Sequence, residues 1–265
     1  MINLIPAQTI DQLNFQVYEP RVALKPWLQC LWSIDSNATP SFCSGKFYPD
    51  GGATLTIRLS ATNPLISVIL NKQTYEQAID NQEPIIGLRF NPSGMYTLLG
   101  LNLLPYANTF LRLGDDLSPP WYGSLCELIE SMPLSNLKAC VNRTQTWLLH
   151  LATHPSAHNS ALALAKTVQQ SNLSVQDLTT SLGFTKRTLE RRLKNEAGFT
   201  PKELINYQRL QQARQQLCRP ELSLTEVATL CGYFDQAHFT HTFKRLACET
   251  PSEYRKRKLS QNYNL

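Results

Sequence analysis

The sequence predicts an α+β chain: a β-rich first part built as a small sandwich or barrel, then a helical hairpin, then an all-α last part. Three observations predict it. Short apolar stretches alternate with turn signals over residues 1–115, apolar residues recur at three- and four-residue spacing over 161–258, and the charge divides along the same line. Residues 1–157 carry 9 Lys and Arg against 11 Asp and Glu, a net −2; residues 158–265 carry 16 against 9, a net +7. That excess points to a polyanionic partner for the later part alone.

The strands come first. Residues 29–34, 53–59, 65–70 and 85–90 read as strands, separated by Asp50-Gly51-Gly52, Asn63-Pro64, Glu83-Pro84 and Asn91-Pro92. Thr54 to Leu59 alternates polar and apolar, as a half-buried strand should. Met95, Leu98 and Leu99 place a short helix at 93–99. Ser118-Pro119-Pro120 opens a helical hairpin over 118–152. Leu125, Leu128, Ile129 and Met132 follow i, i+3, i+4, i+7, and Leu137, Val141, Trp147, Leu148 and Leu151 continue after Pro133. Residues 154–160 read as a linker. The division is therefore 1–117, 118–157 (hairpin and linker, a candidate homodimer surface) and 158–260.

The last part repeats itself. Leu173-Ser-Val-Gln-Asp-Leu-Thr-Thr-Ser-Leu-Gly183-Phe184 returns as Leu222-Ser-Leu-Thr-Glu-Val-Ala-Thr-Leu-Cys-Gly232-Tyr233. Ser174 and Ser223 are N-caps, with Asp177 and Glu226 three positions on; the second pair is a capping box and the first its Asp variant. Gly183 and Gly232 suit left-handed C-caps. A second short helix follows each Gly, burying Leu189 and Leu193 in copy one and Phe239 and Phe243 in copy two, where the turn is one residue longer. Each copy closes on Thr-Pro, at 200–201 and 250–251. A capped helix, a Gly turn and a helix with a cationic exposed face make a helix-turn-helix. Two in-register copies joined by a helical connector over 202–217 are far more specific than one.

This region resembles the AraC/XylS family of transcription regulators, on Gly-Tyr-Phe-Asp-Gln-Ala-His-Phe-Thr-His-Thr-Phe-Lys-Arg (232–245), Thr-Pro-Ser-Glu-Tyr-Arg (250–255), Leu-Gly-Phe-Thr-Lys-Arg-Thr-Leu-Glu-Arg-Arg-Leu-Lys (182–194) and Gly-Phe-Thr-Pro-Lys-Glu-Leu (198–204). The match covers about 100 residues. It departs at Cys248, where the family usually has Gly, and at Thr179, where Ala is usual; the first would strain the helix end. The first 115 residues resemble the sensor part of one branch of the family, on Leu31-Trp32-Ser33, Tyr48-Pro49-Asp50-Gly51-Gly52 and Ile86 to Gly94. That resemblance implies a cupin-like β domain.

On the first recognition helix, Lys186, Arg187, Glu190, Arg191 and Lys194 avoid the Leu189/Leu193 side. Arg187 and Arg191 lie one turn apart and can face one groove. Arg binds guanine O6 and N7 bidentately, and Glu190 can accept from cytosine N4. The resemblance puts the base-reading positions at Arg187, Glu190 and Arg191; the alternative is a solvated cationic face. On the second helix Gln236, Ala237, His238 and His241 take the matching places. Gln236 suits adenine or a helix cap, and Ala237 suits a thymine methyl. Lys244, Arg245, Arg192, Arg209, Arg214 and the run 255–258 read as phosphate contacts or solvated positions.

Metal and catalysis find little support. His238 and His241 lack a third ligand, Pro155 breaks the spacing of His150, His154 and His158, and residues 1–115 contain no His, so no metal and no cofactor is implied. No hydrolase, zincin, P-loop or dinucleotide fingerprint occurs. Asp115-Asp116 reads as a turn or helix start. Cys30 or Cys43 is either a reactive sensor thiol or, as the better reading, a buried one. Trp32, Tyr48, Arg58 and Arg89, with Phe90, could line a pocket for an anionic ligand; the alternative is core packing and structural ion pairs.

Two functions follow. The first is a non-enzymatic transcription regulator that binds double-stranded DNA, works with RNA polymerase, and is controlled by a small-molecule effector or a partner at its N-terminal domain. The second is a cupin-like ligand-binding or enzymatic domain with an accessory DNA-binding module. A DNA-repair methyltransferase would need a Pro-Cys-His-Arg-type motif, which is missing. The seven scattered Cys, without Cys-x-x-Cys, suit free thiols in a reducing, cytoplasmic setting. Apolar runs far below the ~20 residues of a membrane span, and an N-terminus without signal-peptide order, predict no membrane partner.

Overall fold

The computed structural model describes residues 13–36, 42–60, 64–152, 159–170 and 175–262. Six antiparallel strands form one sheet in the order β1-β2-β7-β4-β5-β8, and β3 and β6 form a separate ribbon. The strands are β1 Phe15–Tyr18, β2 Leu28–Ile34, β3 Phe42–Phe47, β4 Ala53–Arg58, β5 Leu65–Leu70, β6 Tyr75–Asp80, β7 Ile85–Phe90 and β8 Leu111–Arg112. The four strands expected from sequence are the four central ones. The barrel alternative is corrected: the sheet is open, because its edges are a four-residue β1 and a two-residue β8 that pair only inward. The ribbon strands escaped sequence reading because they lack a buried alternation; along β6, Tyr-Glu-Gln-Ala-Ile-Asp, Ile79 alone is buried.

The pleat sorts the sheet's two faces. Leu55, Ile57, Leu31, Ile86, Leu88 and Phe90 point into the main core, whereas Ile34 and Ile85 join Ile79 of the ribbon in a second, smaller one. Trp32 opposes Gly87, and its indole fills the space over that residue: a Cβ at Gly87 would lie 1.9 Å from Trp32 Cε2.

The main core continues into the helices. These are α1 Gly94–Leu99, α2 Tyr122–Glu130 and α3 Leu137–Ala152, then α4 Asn159–Gln170, α5 Val175–Leu182, α6 Lys186–Glu196, α7 Pro201–Leu217, α8 Leu224–Leu230, α9 Gln236–Ala247 and α10 Pro251–Asn262. The hairpin α2–α3 sits where its spacing predicted. Buried Trp121 donates to the Leu99 carbonyl (2.7 Å) and meets Trp147 edge to face at 5.8 Å. Asp115 and Asp116 lie in a turn, where the Arg112 amide donates to Asp116 (2.7 Å). A single apolar cluster runs from Leu31 and Leu55 through Trp121 and Leu148 to Leu204 and Phe243. Helix α4 packs on α7 and α6, and also on α1.

The β part and the helical part meet along a polar seam. Glu249, between α9 and α10, is buried and accepts from Arg257 Nη2 (2.7 Å) and Nε (3.1 Å) and from Tyr48 Oη (2.7 Å). Lys46 of β3 stands 3.5 Å away, and the Arg214 guanidinium stacks 3.6 Å from the Tyr48 ring centroid. Leu104, in a 3-10 turn, packs onto Gly198.

Burial alone would raise the Glu249 carboxyl; the Arg257 and Tyr48 hydrogen bonds and the Lys46 charge outweigh it and hold the carboxyl below the usual carboxylate range. A depressed carboxylate contributes stability above its unfolded pKa, and that contribution is lost as pH falls through the folded value. Two expectations follow. Gly87→Ala should destabilise the fold by about 2 kcal/mol or more, read by urea unfolding, because the Trp32 ring must leave its site. Glu249→Gln should cost about 1–3 kcal/mol at neutral pH, and the gap from the unaltered chain should close as pH falls below about 4.

Candidate nucleic-acid interface

Both helix-turn-helix copies are present. Helix α8 carries the expected capping box: Ser223 Oγ accepts from the Glu226 amide (3.2 Å) and Glu226 accepts from the Ser223 amide (2.7 Å). Ser174 lies outside the described residues. Gly183 and Gly232 adopt the left-handed conformation expected of them, with φ +65 and +73. Thr185 caps α6 through the Thr188 amide (3.2 Å) and Asp235 caps α9 through the His238 amide (2.6 Å).

On α6, Leu189 and Leu193 are fully buried, which turns Lys186, Arg187, Glu190, Arg191 and Lys194 to the surface together. On α9, Phe239 and Phe243 are buried, and Gln236, Ala237, His238, His241, Lys244 and Arg245 are exposed. Two of these already hold the turn. Gln236 Oε1 accepts from Thr225 of α8 (2.7 Å), and His238 Nδ1 accepts weakly from the Phe234 amide (3.5 Å) while its ring meets Tyr233. Phe234, the extra residue of the second turn, is 91% exposed.

Several cations read from sequence as phosphate contacts or solvated positions have partners within the chain, although Arg192 among them stays exposed. Arg192 lies over Phe184, Arg209 over Tyr233 and Arg214 over Tyr48. In the run 255–258, Arg255 donates to the Leu217 carbonyl (3.3 Å), Arg257 holds Glu249, and Lys258 is buried, which lowers its pKa to about 8; Lys256 alone is exposed.

The four residues considered for an N-terminal ligand do not converge on one pocket. Trp32, Arg58 and Arg89 share the sheet face under the ribbon, but both arginines are engaged. Arg58 holds Asp80 at 2.8 and 3.2 Å; Arg89 holds Asp50 through Nε (3.1 Å) and Nη2, and Thr54 (2.7 Å). Tyr48 belongs to the seam. Burial pushes the Cys30 thiol up to about 12, and Arg89 lowers it only in part, so Cys30 is an inert buried thiol. The Cys43 side chain lies outside the described residues. A cleft of about 40 Å³ opens between the two parts, lined by Ser93 and Tyr96 on one side and Asn195 and Phe199 on the other. Among the described residues, no three His, Cys, Asp or Glu stand together as a metal site, and no helix is long and apolar enough to cross a membrane.

Sequence reading missed the caps of α7 and α10, although Thr200-Pro-Lys-Glu203 and Thr250-Pro-Ser-Glu253 carry the signature. Thr200 and Glu203 form a reciprocal box, and Glu253 accepts from the Thr250 amide (2.7 Å). The departure at Cys248 has the expected form: it ends α9 at φ +58, where the first copy has Gly198 at φ +82. Cys248→Gly should therefore stabilise the chain by about 0.5–1 kcal/mol. Gly198→Ala should destabilise it by about 2 kcal/mol or more, because strain adds to a Cβ placed 2.1 Å from Leu104 Cδ2. Thermal melts of the two variants test both signs.

Residues 178–257 match a family described as a helix-turn-helix domain, and residues 16–112 match one described as a domain of unknown function (DUF6597). The HTH-type transcriptional activators RhaS of Yersinia pestis (strain Pestoides F) and of Yersinia pseudotuberculosis are each 46% identical over 69 residues, 26% of this chain and 25% of theirs. The chain thus spans about a quarter of the length of the curated relatives it matches. The structure of ToxT from Vibrio cholerae aligns over 92% of this chain and 98% of its own at 13% identity, with a TM-score of 0.40, too low to carry a structural argument. With its duplicated, capped units and these matches, residues 178–257 are a helix-turn-helix domain similar to that of the RhaS activators.

Proposed function

We propose that the chain is a sequence-specific regulator of transcription that places α6 and α9 in successive major grooves on one face of double-stranded DNA. The observation that carries this is the pairing of two capped helix-turn-helix units whose recognition helices bury one side and expose the other. Among its described residues, α6 exposes five cations, Arg192 among them, and the carboxylate of Glu190, and the one-turn spacing of Arg187 and Arg191 suits guanine. Helix α9 reads less by charge. With Gln236 and His238 tied into the turn, its sequence choice falls on Ala237 and His241, and Lys244 and Arg245 take phosphates. One chain then reads an asymmetric site whose two boxes lie about one DNA turn apart, roughly 34 Å.

In the same proposal the N-terminal domain receives a small-molecule effector or a partner and changes how the readers are presented. The seam through Tyr48 and Glu249 supports that reading, since it joins the two parts by direct hydrogen bonds. RNA polymerase is the downstream partner, and the activator names of the relatives support recruitment over blocking. The hairpin α2–α3 is the surface proposed for a homodimer.

The test is anisotropy of the full chain on duplexes selected from a random library, against scrambled duplexes, across a salt series. Selective binding should weaken linearly in log salt with a slope of about −0.9 per phosphate neutralised. Arg187→Ala and Arg191→Ala should each lose roughly tenfold or more on the selected duplex, about 1–3 kcal/mol, and little on the scrambled one. Equal losses on both duplexes would reduce the two arginines to phosphate contacts, and failure to select any sequence would refute the regulator.

A further inference from the structure

The turn between β5 and β6, residues 71–74, reaches out of the β part and touches the end of both helix-turn-helix units. At the first, the Lys72 ammonium sits 3.2 Å from Glu203 Oε1 and 5.0 Å from the centre of the Phe199 ring, just beyond the C-terminus of α6. The Lys72 carbonyl accepts from Tyr207 Oη of α7 (3.3 Å). At the second, Thr74 donates twice to the Leu246 carbonyl, from its hydroxyl (2.6 Å) and its amide (3.2 Å). Leu246 lies in the last turn of α9, whose final carbonyls have no partner within the helix. An N-terminal residue therefore caps the second recognition helix.

The turn is itself braced. Asn71 is buried and its side chain donates to the Phe47 and Gln73 carbonyls (3.4 Å each). Asn108 Oδ1 accepts from the Lys72 amide (2.7 Å) and the Gln73 amide (3.2 Å), and the Asn108 amide returns a bond to Leu70 (2.8 Å). A turn held from β3 and from the loop before β8 cannot follow either reader without disturbing the sheet.

We propose that Lys72 and Thr74 are positioning residues that fix the separation and phase of α6 and α9, so that the β domain sets the spacing of the DNA boxes this chain accepts. The proposal rests on reading α6 and α9 as DNA readers and deepens it. Two helices on one connector can still rock about it; a second tie from a rigid third body removes that freedom. A shift in the sheet would pass to both readers through this turn, each base pair of displacement rotating a box by about 34°.

The test compares the full chain with the double variant Lys72→Met, Thr74→Val on duplexes whose second box is displaced one base pair at a time through half a turn. The unaltered chain should lose affinity steeply off its preferred spacing. The double variant should lose that discrimination by roughly fivefold or more, with single-box affinity and salt slope unchanged. Thr74→Ser, which keeps the hydroxyl donor, should behave as the unaltered chain. Equal spacing penalties in chain and double variant, or a Thr74→Ser variant as relaxed as Thr74→Val, would overturn the proposal. A second measurement decides without DNA: spin labels carried on unnatural amino acids at positions 194 and 241 should give a narrow distance distribution in the unaltered chain and a broader one in the double variant. Equal widths would overturn the proposal even if the regulator reading stands; failure of DNA selection would strike that reading and leave the label distances to judge this one.

Discussion

The structure turns on one helix. Helix α7, 17 residues and about 25 Å long, packs against α6 of the first helix-turn-helix and the preceding α4, and against α8 and α9 of the second and the following α10. Its buried side, Leu204, Tyr207, Leu210, Ala213 and Leu217, is the shared floor of both units. Its other contacts reach the β part: Glu203 to Lys72, Tyr207 to the Lys72 carbonyl, Arg214 to the Tyr48 ring. The capping box at Thr200 and Glu203 fixes where the helix begins, and hence where each unit lies along it. The Glu203 carboxylate thus serves the cap and the seam together.

Electrostatics divide the cations into two populations by what they face. Arg58, Arg89, Arg214 and Arg257 meet carboxylates or aromatic rings in half-buried places and act as structural fasteners. Lys186, Arg187, Arg191 and Lys194 stand on the exposed side of α6, with solvent before them. Net charge alone cannot make that distinction. The +7 of the last part counts Arg257 and buried Lys258 together with Arg187, yet the first two are fastened within the fold and the third faces solvent.

The legible features were those with a period or a cap. The four central strands, the α2–α3 hairpin and the two helix-turn-helix copies all carry apolar spacing dictated by burial, and Leu189, Leu193, Phe239 and Phe243 fall where that spacing requires. The ribbon β3–β6 was illegible because β6 buries one residue in six, which leaves no alternation to read. The seam was illegible for another reason: Tyr48 meets Glu249 across 201 positions of chain, and no local pattern marks such a pair. Arg58 and Arg89 illustrate the converse. Their residue type suggested an anion site, but Asp80 and Asp50 supply the anions from within the chain.

A main core that runs from the sheet into the helices presents α6 and α9 at a separation that the β part is proposed to help set. The most direct measurement is a hydroxyl-radical footprint of the full chain on a selected duplex. Two protected windows are expected on one face of the DNA, centred about one helical turn, 10–10.5 base pairs, apart. A single window, or two on opposite faces, would overturn the reading of α6 and α9 as paired readers.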